Sequence, residues 1–188
     1  MNRNVLITGG SRGIGAATAS HLAGQGYHLC INYRRDRQAA EALEMSAERI
    51  NKTLTTNVTG YFLCCREAVR RMTRGGAIVN VSSAAARLGA AGEYVDYAAS
   101  KGAIDVLTRG LSLEVAAQGI RVNGVRPGFI YTEMHADGGE ADRVERVKSQ
   151  IPLQRGGQPA EVAAAIAWLL SDEASYATGT FIDLAGGR

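Results

Sequence analysis

The chain has 188 residues, of which 46% are hydrophobic and 21% are charged, as expected of one globular domain that can bury a core. Its net charge is only +3, and its basic residues are scattered apart from a short cluster at 34–37, which argues against a nucleic-acid partner. The three cysteines form no C-x-x-C motif and pair with no histidines, so a disulfide framework and a zinc site are both disfavoured. No signal peptide or membrane-spanning run is visible, and we expect a cytoplasmic protein without a membrane partner.

Apolar runs and helical periodicities alternate along the chain. The predicted strands are residues 5–8, 27–32, 77–81, 120–126 and 180–184. The predicted helices are residues 14–24, 37–44, 46 to about 72, 97–118 and 161–170. Such alternation is typical of a doubly wound parallel sheet, so we predict a single α/β, Rossmann-like domain over residues 1–188.

A glycine-rich turn joins the first predicted strand to the first predicted helix. It reads T-G-G-S-R-G-I-G at residues 8–15, which is a G-x-x-x-G-x-G spacing. Glycines let the backbone approach a pyrophosphate, which then binds at the helix N-terminus. The turn therefore predicts a dinucleotide site, although its spacing differs from the G-x-G-x-x-G fingerprint. The lack of a following G-K-S/T disfavours a nucleoside-triphosphate loop.

The same turn admits a second interpretation. Residues 9–13 also match G-x-S-x-G, which would make Ser11 the nucleophile of a serine hydrolase. A catalytic triad would then need a histidine well downstream, but His21 and His28 follow too soon and only His135 remains. The hydrolase is therefore a remote alternative.

The end of the second predicted strand bears on the form of the cofactor. An NAD site usually places an acidic residue there, on the ribose hydroxyls, whereas this strand ends in Asn32, followed by Tyr33 and Arg34. Arg12 in the glycine turn and Arg34 are suited to bind a 2′-phosphate. The pattern favours NADP(H) over NAD(H), although a solvated helix start would also explain the arginines.

A tyrosine and a lysine lie four residues apart on one predicted helix, so that Tyr97 and Lys101 share a face. A cation near a phenol stabilises the phenolate, which suits Tyr97 to exchange a proton with a carbonyl or alcohol oxygen. Such pairs are common on solvated helices, so the pair alone is weak evidence. Ser83 strengthens the prediction, because it follows the strand 77–81 at the edge where ligands of open sheets bind.

Five motifs in this order resemble the short-chain dehydrogenase/reductase family. They are T-G-G-S-R-G-I-G at 8–15, T-N-V-T-G at 56–60, N-V-S-S at 80–83, Y-A-A-S-K at 97–101 and R-P-G-F-I-Y-T at 126–132. The nearest resemblance is to bacterial sugar dehydrogenase-like and 3-oxoacyl-carrier-protein-reductase-like members. It implies a nicotinamide-dependent oxidoreductase that acts on a small carbonyl or alcohol and assembles as a homotetramer or homodimer.

The resemblance also implies individual roles. Tyr97 would be the general acid/base, and Lys101 would bind the nicotinamide ribose and tune Tyr97. Ser83, with Ser82 as its rival, would hydrogen-bond the substrate oxygen. Asn57 would hold a water of the proton relay. The implied cofactor-binding residues are Gly9, Ser11, Arg12, Gly13, Ile14, Gly15, Asn32, Tyr33, Arg34, Tyr97, Lys101, Pro127, Gly128, Ile130 and Thr132.

One part of the family pattern is missing. The N-N-A-G motif and the acidic residue after the third strand are absent, and Glu44 runs directly into Met45 where two strand–helix units, roughly 60 residues at ~30 each, would stand. The third and fourth strands are thus missing, which detaches the first two strands from the rest of the sheet.

Two explanations of the missing part stay open. Either the protein is truly shortened, or the numbered chain skips segments of a longer one at 44/45 and near 74/75. We favour the second, since an open sheet centre leaves backbone groups unpaired. A Cα separation between Glu44 and Met45 near the ~3.8 Å of a trans peptide would contradict it.

Residues 132–151, with two adjacent glycines and many charges, predict a substrate lid, and a plain pair of surface helices is nearly as good an interpretation.

Three function classes follow from the sequence: an oxidoreductase, a cofactor-binding regulatory protein without turnover, and the remote hydrolase. The substrate is not legible from the sequence.

Overall fold

The structure is a computed structural model that describes residues 4–32, 46–91, 93–133 and 140–188. Strands and helices alternate as predicted. The strands are Asn4–Thr8 (β1), His28–Asn32 (β2), Gly76–Val81 (β3), Ile120–Pro127 (β4) and Phe181–Leu184 (β5). The helices are Gly13–Gly24 (α1), Ala47–Leu54 (α2), Gly60–Arg71 (α3), Ala85–Leu88 (α4), Val95–Val115 (α5), Arg143–Val147 (α6) and Pro159–Leu170 (α7).

The five predicted strands are confirmed, each within about a residue at its start. The predicted helix at 37–44 and the junction of Glu44 with Met45 lie outside the described residues. The short helix α4 was not predicted, whereas α6 lies within residues 132–151, where a pair of surface helices was the alternative to a lid. Of the predicted lid, residues 134–139 also lie outside the described part, and α6 buries Val144 and Val147.

The described strands form two separate sheets. β1 pairs with β2 in parallel, with Asn4 opposite His28, and β4 lies between β3 and β5. β3 and β4 are parallel, with Gly76 opposite Ile120. The prediction that the first two strands are detached from the rest is therefore confirmed for these strands.

The chain forms two compact units. The first comprises the described parts of residues 1–41, 128–168 and 184–188, and it holds β1, β2, α1 and α6. The second comprises the described parts of residues 42–127 and 169–183, and it holds β3, β4 and α2 to α5. A single domain over residues 1–188 stays a prediction.

The core of the second unit lies between α5 and β4. Val115, Ile120 and Val122 are buried there, and Leu111 packs against them. The apolar side chains Leu111 and Val115 of α5 thus face this core, and Ile104 is fully buried. A 3-10 turn follows α5 and ends at Gly119, whose φ of +71° is the left-handed conformation common at helix C-termini.

One long helical segment carries the chain from Ser46 to β3. The Ser46 hydroxyl oxygen accepts the backbone N–H of Arg49 at 3.2 Å, so Ser46 is the N-cap of α2 even without a capping box. Five residues with π-helical hydrogen bonding, Thr55–Thr59, separate α2 from α3. In the described residues, no helix combines the length and the apolar character that crossing a membrane requires.

Candidate active site

The glycine turn of the first unit has a backbone that only glycine can supply. The backbone amides of Gly9 and Gly10 donate to the carbonyl of Asn32, at 2.8 and 3.3 Å, which fixes the turn to the end of β2. A Cβ on Gly15 would lie 2.2 Å from the carbonyl oxygen of Gly9. Gly13 has a φ of +53°, in the left-handed region that favours glycine.

The same turn leads directly into the N-terminus of α1. Arg12 is the N-cap residue with an extended backbone, and its carbonyl accepts the amide of Ala16 at 3.2 Å. The backbone N–H groups of Gly13, Ile14 and Gly15 come before this first intrahelical hydrogen bond. They therefore have no acceptor within the helix. Such amides at a helix N-terminus are suited to bind phosphate oxygens. The serine in the turn, Ser11, precedes the N-cap.

Thr132 lies beside this turn in the first unit. Its methyl carbon would be 3.2 Å from a Cβ on Gly13, and its buried hydroxyl has no hydrogen-bond partner among the described residues. A buried hydroxyl without a partner costs free energy, which a polar ligand would recover. Both residues line a cleft of about 590 Å³ together with Ala16, Tyr131, Glu133 and Val144.

Two further predicted cofactor residues hold the segment that leads to Thr132. The amide of Gly128 donates to the carbonyl of Leu184 at 3.0 Å, and a Cβ on Gly128 would lie 2.9 Å from the Cα of Ala185. Ile130 is 4% exposed and forms a parallel bridge with Gly157. The backbone here is therefore fixed by neighbours on both sides.

We expect Thr132→Val to weaken NADPH binding about fivefold and to leave the free energy of unfolding unchanged or slightly higher. Valine has the same shape and removes a hydroxyl that is unpaired among the described residues, whereas a cofactor at the predicted site would lose one hydrogen bond. Fluorescence titration with NADPH and urea denaturation check the two halves. A loss of stability with unchanged NADPH affinity would show that the hydroxyl has a structural partner instead.

The predicted acid/base pair is brought together in the second unit. Lys101 is 7% exposed, and its Nζ lies 5.6 Å from the ring centroid of Tyr97 and donates to the carbonyl of Val81 at 2.9 Å. Val81 is the last residue of β3, so the ammonium is held at the carboxyl end of that strand. Tyr97 itself is half-buried.

Asn57 lies in the π-helical turn. Its Nδ2 donates to the hydroxyl oxygen of Ser100 at 3.1 Å, and that hydroxyl donates to the carbonyl of Tyr97 at 2.7 Å. Ser100 is fully buried. A π-helical turn widens the helix by one residue per turn and is frequent at functional sites. The turn thus ties Asn57 to the helix that carries Tyr97 and Lys101.

The two candidate serines after β3 have different environments. Ser82 is 3% exposed, and its hydroxyl donates to the carbonyl of Lys101 at 3.2 Å. The hydroxyl oxygen of Ser83 accepts the amide of Ala85 at 3.1 Å, so its proton remains available for a ligand. The next amide, that of Ala84, donates to the carbonyl of Pro127 at 2.9 Å, which joins the Ser83 turn to the end of β4.

A buried ion pair holds the start of α5. Asp96 accepts two hydrogen bonds from the guanidinium of Arg49, at 2.9 and 3.0 Å, and its side chain is 4% exposed. Burial alone raises the pKa of Asp96, but the hydrogen bonds from Arg49 and from the backbone amide of Tyr97 outweigh it, so the pKa is lowered overall. This pair fixes the residue directly before Tyr97 to α2.

We expect Arg49→Met to lower the free energy of unfolding by about 1–3 kcal/mol at neutral pH, because it leaves the Asp96 carboxylate buried without its partner. Since the pKa of Asp96 is lowered in the folded state, the pair stabilises the fold above the unfolded value of about 3.9 and loses its effect as the pH falls through the folded value. Urea denaturation at neutral and acidic pH measures this difference.

The control for this substitution is Arg70→Met, which removes an exposed arginine from an exposed pair with Glu67. We expect it to change stability by less than about 1 kcal/mol. Equal effects of the two substitutions, or a penalty for Arg49→Met that does not shrink in acid, would contradict the account of the Asp96 pair.

Several residues of this arrangement were not predicted from the sequence. Ser100 and the Arg49–Asp96 pair have no motif of their own, although Ser100 stands inside Y-A-A-S-K. Tyr61, whose hydroxyl donates to the carbonyl of Val81 at 2.9 Å, gave no signal either. Conversely, two predicted cofactor residues, Tyr33 and Arg34, lie outside the described residues.

Two family models match the chain. The short chain dehydrogenase model matches residues 3–46, and a related model described as enoyl-(acyl carrier protein) reductase matches residues 38–188. The second covers most of the chain. The chain belongs to the short-chain dehydrogenase/reductase family. It is therefore an NAD(P)-dependent oxidoreductase of CH–OH groups with a Rossmann-type α/β fold, and the hydrolase alternative has no support left.

Known members of the short-chain dehydrogenase/reductase family resemble the chain over its whole length. It is 56% identical to the uncharacterized oxidoreductase YgfF of Escherichia coli (strain K12), covering 97% of this chain and 98% of that protein. It is 30% identical to a 3-oxoacyl-acyl-carrier-protein reductase, FabG of Staphylococcus aureus, covering 100% and 98%. A solved structure of ElxO with NADP bound superposes with a TM-score of 0.86 at 27% identity, covering 100% and 98%.

The same alignment gives the number of FabG positions that have no counterpart in this chain. The alignment with FabG runs over 243 positions, whereas the chain has 188 residues, so 55 positions have no residue of this chain. This agrees with the predicted loss of two strand–helix units. The two family models meet at residues 38–46, the region in which the sequence analysis places the larger gap.

Proposed function

We propose that the chain is an NADP(H)-dependent oxidoreductase that transfers a hydride between the nicotinamide and a carbonyl or secondary alcohol, with Tyr97 as the general acid/base. The observation that carries this proposal is the position of the Lys101 ammonium, almost fully buried and 5.6 Å from the Tyr97 ring. A buried cation stabilises the phenolate and so allows Tyr97 to give up and regain a proton.

The residues of the second unit then have complementary tasks. The Ser83 hydroxyl donates to the substrate oxygen and orients it. A bound nicotinamide would supply the hydride for reduction, and Tyr97 gives its phenolic proton to the substrate oxygen, which becomes the hydroxyl of the alcohol. Lys101 stabilises the phenolate that results, and Asn57 holds a water through which the proton is replaced. The reverse sequence oxidises the alcohol.

The residues of the first unit fit a dinucleotide. The free amides at the start of α1 would bind the pyrophosphate, and the glycine turn leaves room for it. Thr132, with its buried hydroxyl, would hold the nicotinamide amide. Gly128 and Ile130, fixed by their backbone contacts, would line the nicotinamide pocket together with Pro127.

The preference for NADP(H) over NAD(H) rests on charge. β2 ends in Asn32 rather than in an acidic residue, and Arg12 in the glycine turn is suited to a 2′-phosphate. The ElxO structure contains NADP, which supports the same preference by analogy. A carboxylate at Asn32 would repel the 2′-phosphate.

We expect Arg12→Gln to weaken NADPH binding about tenfold and to leave NADH binding within about twofold, because only NADPH loses a charged hydrogen bond. Binding titrations with both cofactors measure the ratio, and Arg109→Gln on the exposed side of α5 is the matched control. Equal losses for both cofactors would contradict the assigned role of Arg12.

The test of the proposed function is NADPH oxidation by the purified chain against a panel of ketones, sugars and acyl thioesters. We expect turnover with at least one class of carbonyl. Tight NADPH binding without turnover on any of them would favour a second candidate, a regulatory protein that binds the cofactor only. The separation of β1 and β2 from the other strands is the observation that favours this second candidate.

We also propose a homodimer or homotetramer, as is typical of this family. Light scattering on the purified protein measures the mass of the assembly directly.

A further inference from the structure

The ammonium of Lys101 lies over two aromatic rings. Its Nζ is 5.2 Å from the ring centroid of Tyr61, on α3, and 5.6 Å from that of Tyr97, on its own helix. Lys101 is 7% exposed, so both contacts are made largely away from water, where the attraction between a cation and a ring is strongest.

Tyr61 and Lys101 also share one acceptor. The Tyr61 hydroxyl and the Lys101 ammonium each donate to the carbonyl oxygen of Val81 at 2.9 Å. A carbonyl oxygen accepts two hydrogen bonds, one for each lone pair, so both donors are accommodated. Tyr61 thus touches the ammonium through its ring and is fixed to the same anchor through its hydroxyl.

Tyr61 and Cys65, both on α3, are neutral at physiological pH. Burial, with smaller effects of Cys65 and Cys64, raises the pKa of Tyr61 to about 12, and burial raises that of Cys65 to about 11. One turn along α5, Asp105 is paired with Arg126 at 2.9 Å. No other ionisable group is described in contact with the Lys101 ammonium, so Tyr97 is the group whose charge it governs.

We propose that Tyr61 is a positioning residue for Lys101: its ring and hydroxyl hold the ammonium at the distance from Tyr97 that the acid/base step requires. The inference rests on the proposed roles of Tyr97 and Lys101. It adds a third residue, from a different helix, that controls how strongly the cation acts on the phenol.

The test begins with the cofactor-free protein. The phenolate absorbance is followed as a function of pH in the wild type, in Tyr61→Leu and in Tyr61→Phe. The profile of the same protein with Tyr97→Phe added is subtracted from each, so that only the signal of Tyr97 remains. We expect the profile of Tyr61→Leu to lie at higher pH than that of the wild type, because the ammonium loses both of its contacts with Tyr61. Tyr61→Phe keeps the ring and should give a smaller shift.

The matched control is Tyr176→Leu, the same substitution at a fully exposed position. We expect it to leave the Tyr97 titration and NADPH affinity unchanged. NADPH affinity should fall about tenfold in Tyr61→Leu, since the ammonium that contacts the ribose is no longer fixed. The proposal would be overturned if Tyr61→Leu gave the same titration profile and the same NADPH affinity as the control. It would also be overturned if Tyr61→Leu lowered the stability and changed neither of these two readouts.

A second measurement does not depend on the folding of any Tyr61 variant. The ε protons of Lys101 in the wild type should show an upfield ring-current shift in NMR, because the ammonium lies over the Tyr61 and Tyr97 rings, and unshifted ε protons would overturn the proposal. Neither the titration nor the NMR measurement needs NADPH. If the wild type bound no NADPH, the proposed function would fail while the proposal for Tyr61 was still tested.

Discussion

Tyr97→Phe should reduce the rate of NADPH oxidation about 10²- to 10⁴-fold, which is the range that a positioned general acid contributes. Phenylalanine keeps the ring next to the Lys101 ammonium and removes only the hydroxyl, so the fold and the cation–ring contact survive. The affinity for NADPH should stay within about threefold of the wild type, because the hydroxyl serves the proton transfer and not the binding of phosphates.

Steady-state rates with the best carbonyl of the panel and fluorescence titration with NADPH measure the two effects separately. The control is Tyr176→Phe, which removes the hydroxyl of a fully exposed tyrosine and should leave the rate unchanged. A Tyr97→Phe protein that retained most of its rate would require a different proton donor.

Gly15→Ala should abolish measurable NADPH binding and lower the free energy of unfolding by about 1–3 kcal/mol or more. The added Cβ would lie 2.2 Å from the carbonyl oxygen of Gly9, 2.9 Å from the carbonyl carbon of Gly9 and 3.0 Å from the Cα of Gly10. All three are backbone atoms, so no side-chain rotation relieves the clash. The glycine turn must then open, and the amides at the start of α1 move with it.

Gly24→Ala is the matched control, because it places the same methyl group at the other end of the same helix. Nothing lies within 4 Å of a Cβ on Gly24, and alanine favours the helix. We expect Gly24→Ala to bind NADPH normally and to be slightly more stable than the wild type. Normal NADPH affinity in Gly15→Ala would contradict the assignment of the turn as the pyrophosphate site.

The strands and α1 could be predicted because their signals are local. Each strand is a short apolar run, and the glycines at 9, 13 and 15 mark a turn. Gly9 and Gly13 have a positive φ, and a Cβ on Gly15 would clash with the backbone of Gly9. The pairing of Tyr97 with Lys101 follows from helical spacing alone. The resemblance to the family added Asn57 and the segment 126–132, which have no chemical signature of their own.

What could not be predicted depends on contacts between distant elements. Arg49 and Asp96 are 47 residues apart, and only the packing of α2 on α5 brings them together. The π-helical turn at Thr55–Thr59 is rich in β-branched residues, which disfavour a regular α-helix without specifying the alternative. Tyr61 gave no signal, because a single tyrosine on a helix does not reveal which carbonyl or cation it meets.

The central claim is that this chain carries out the hydride transfer itself, and isotope transfer tests it most directly. NADPH carrying deuterium at the transferable position of the nicotinamide is incubated with the wild-type chain and a reducible carbonyl, and the alcohol is examined by mass spectrometry. We expect one deuterium per product molecule with the wild type and almost no product with Tyr97→Phe. An alcohol without deuterium, or equal labelling with both proteins, would contradict the account.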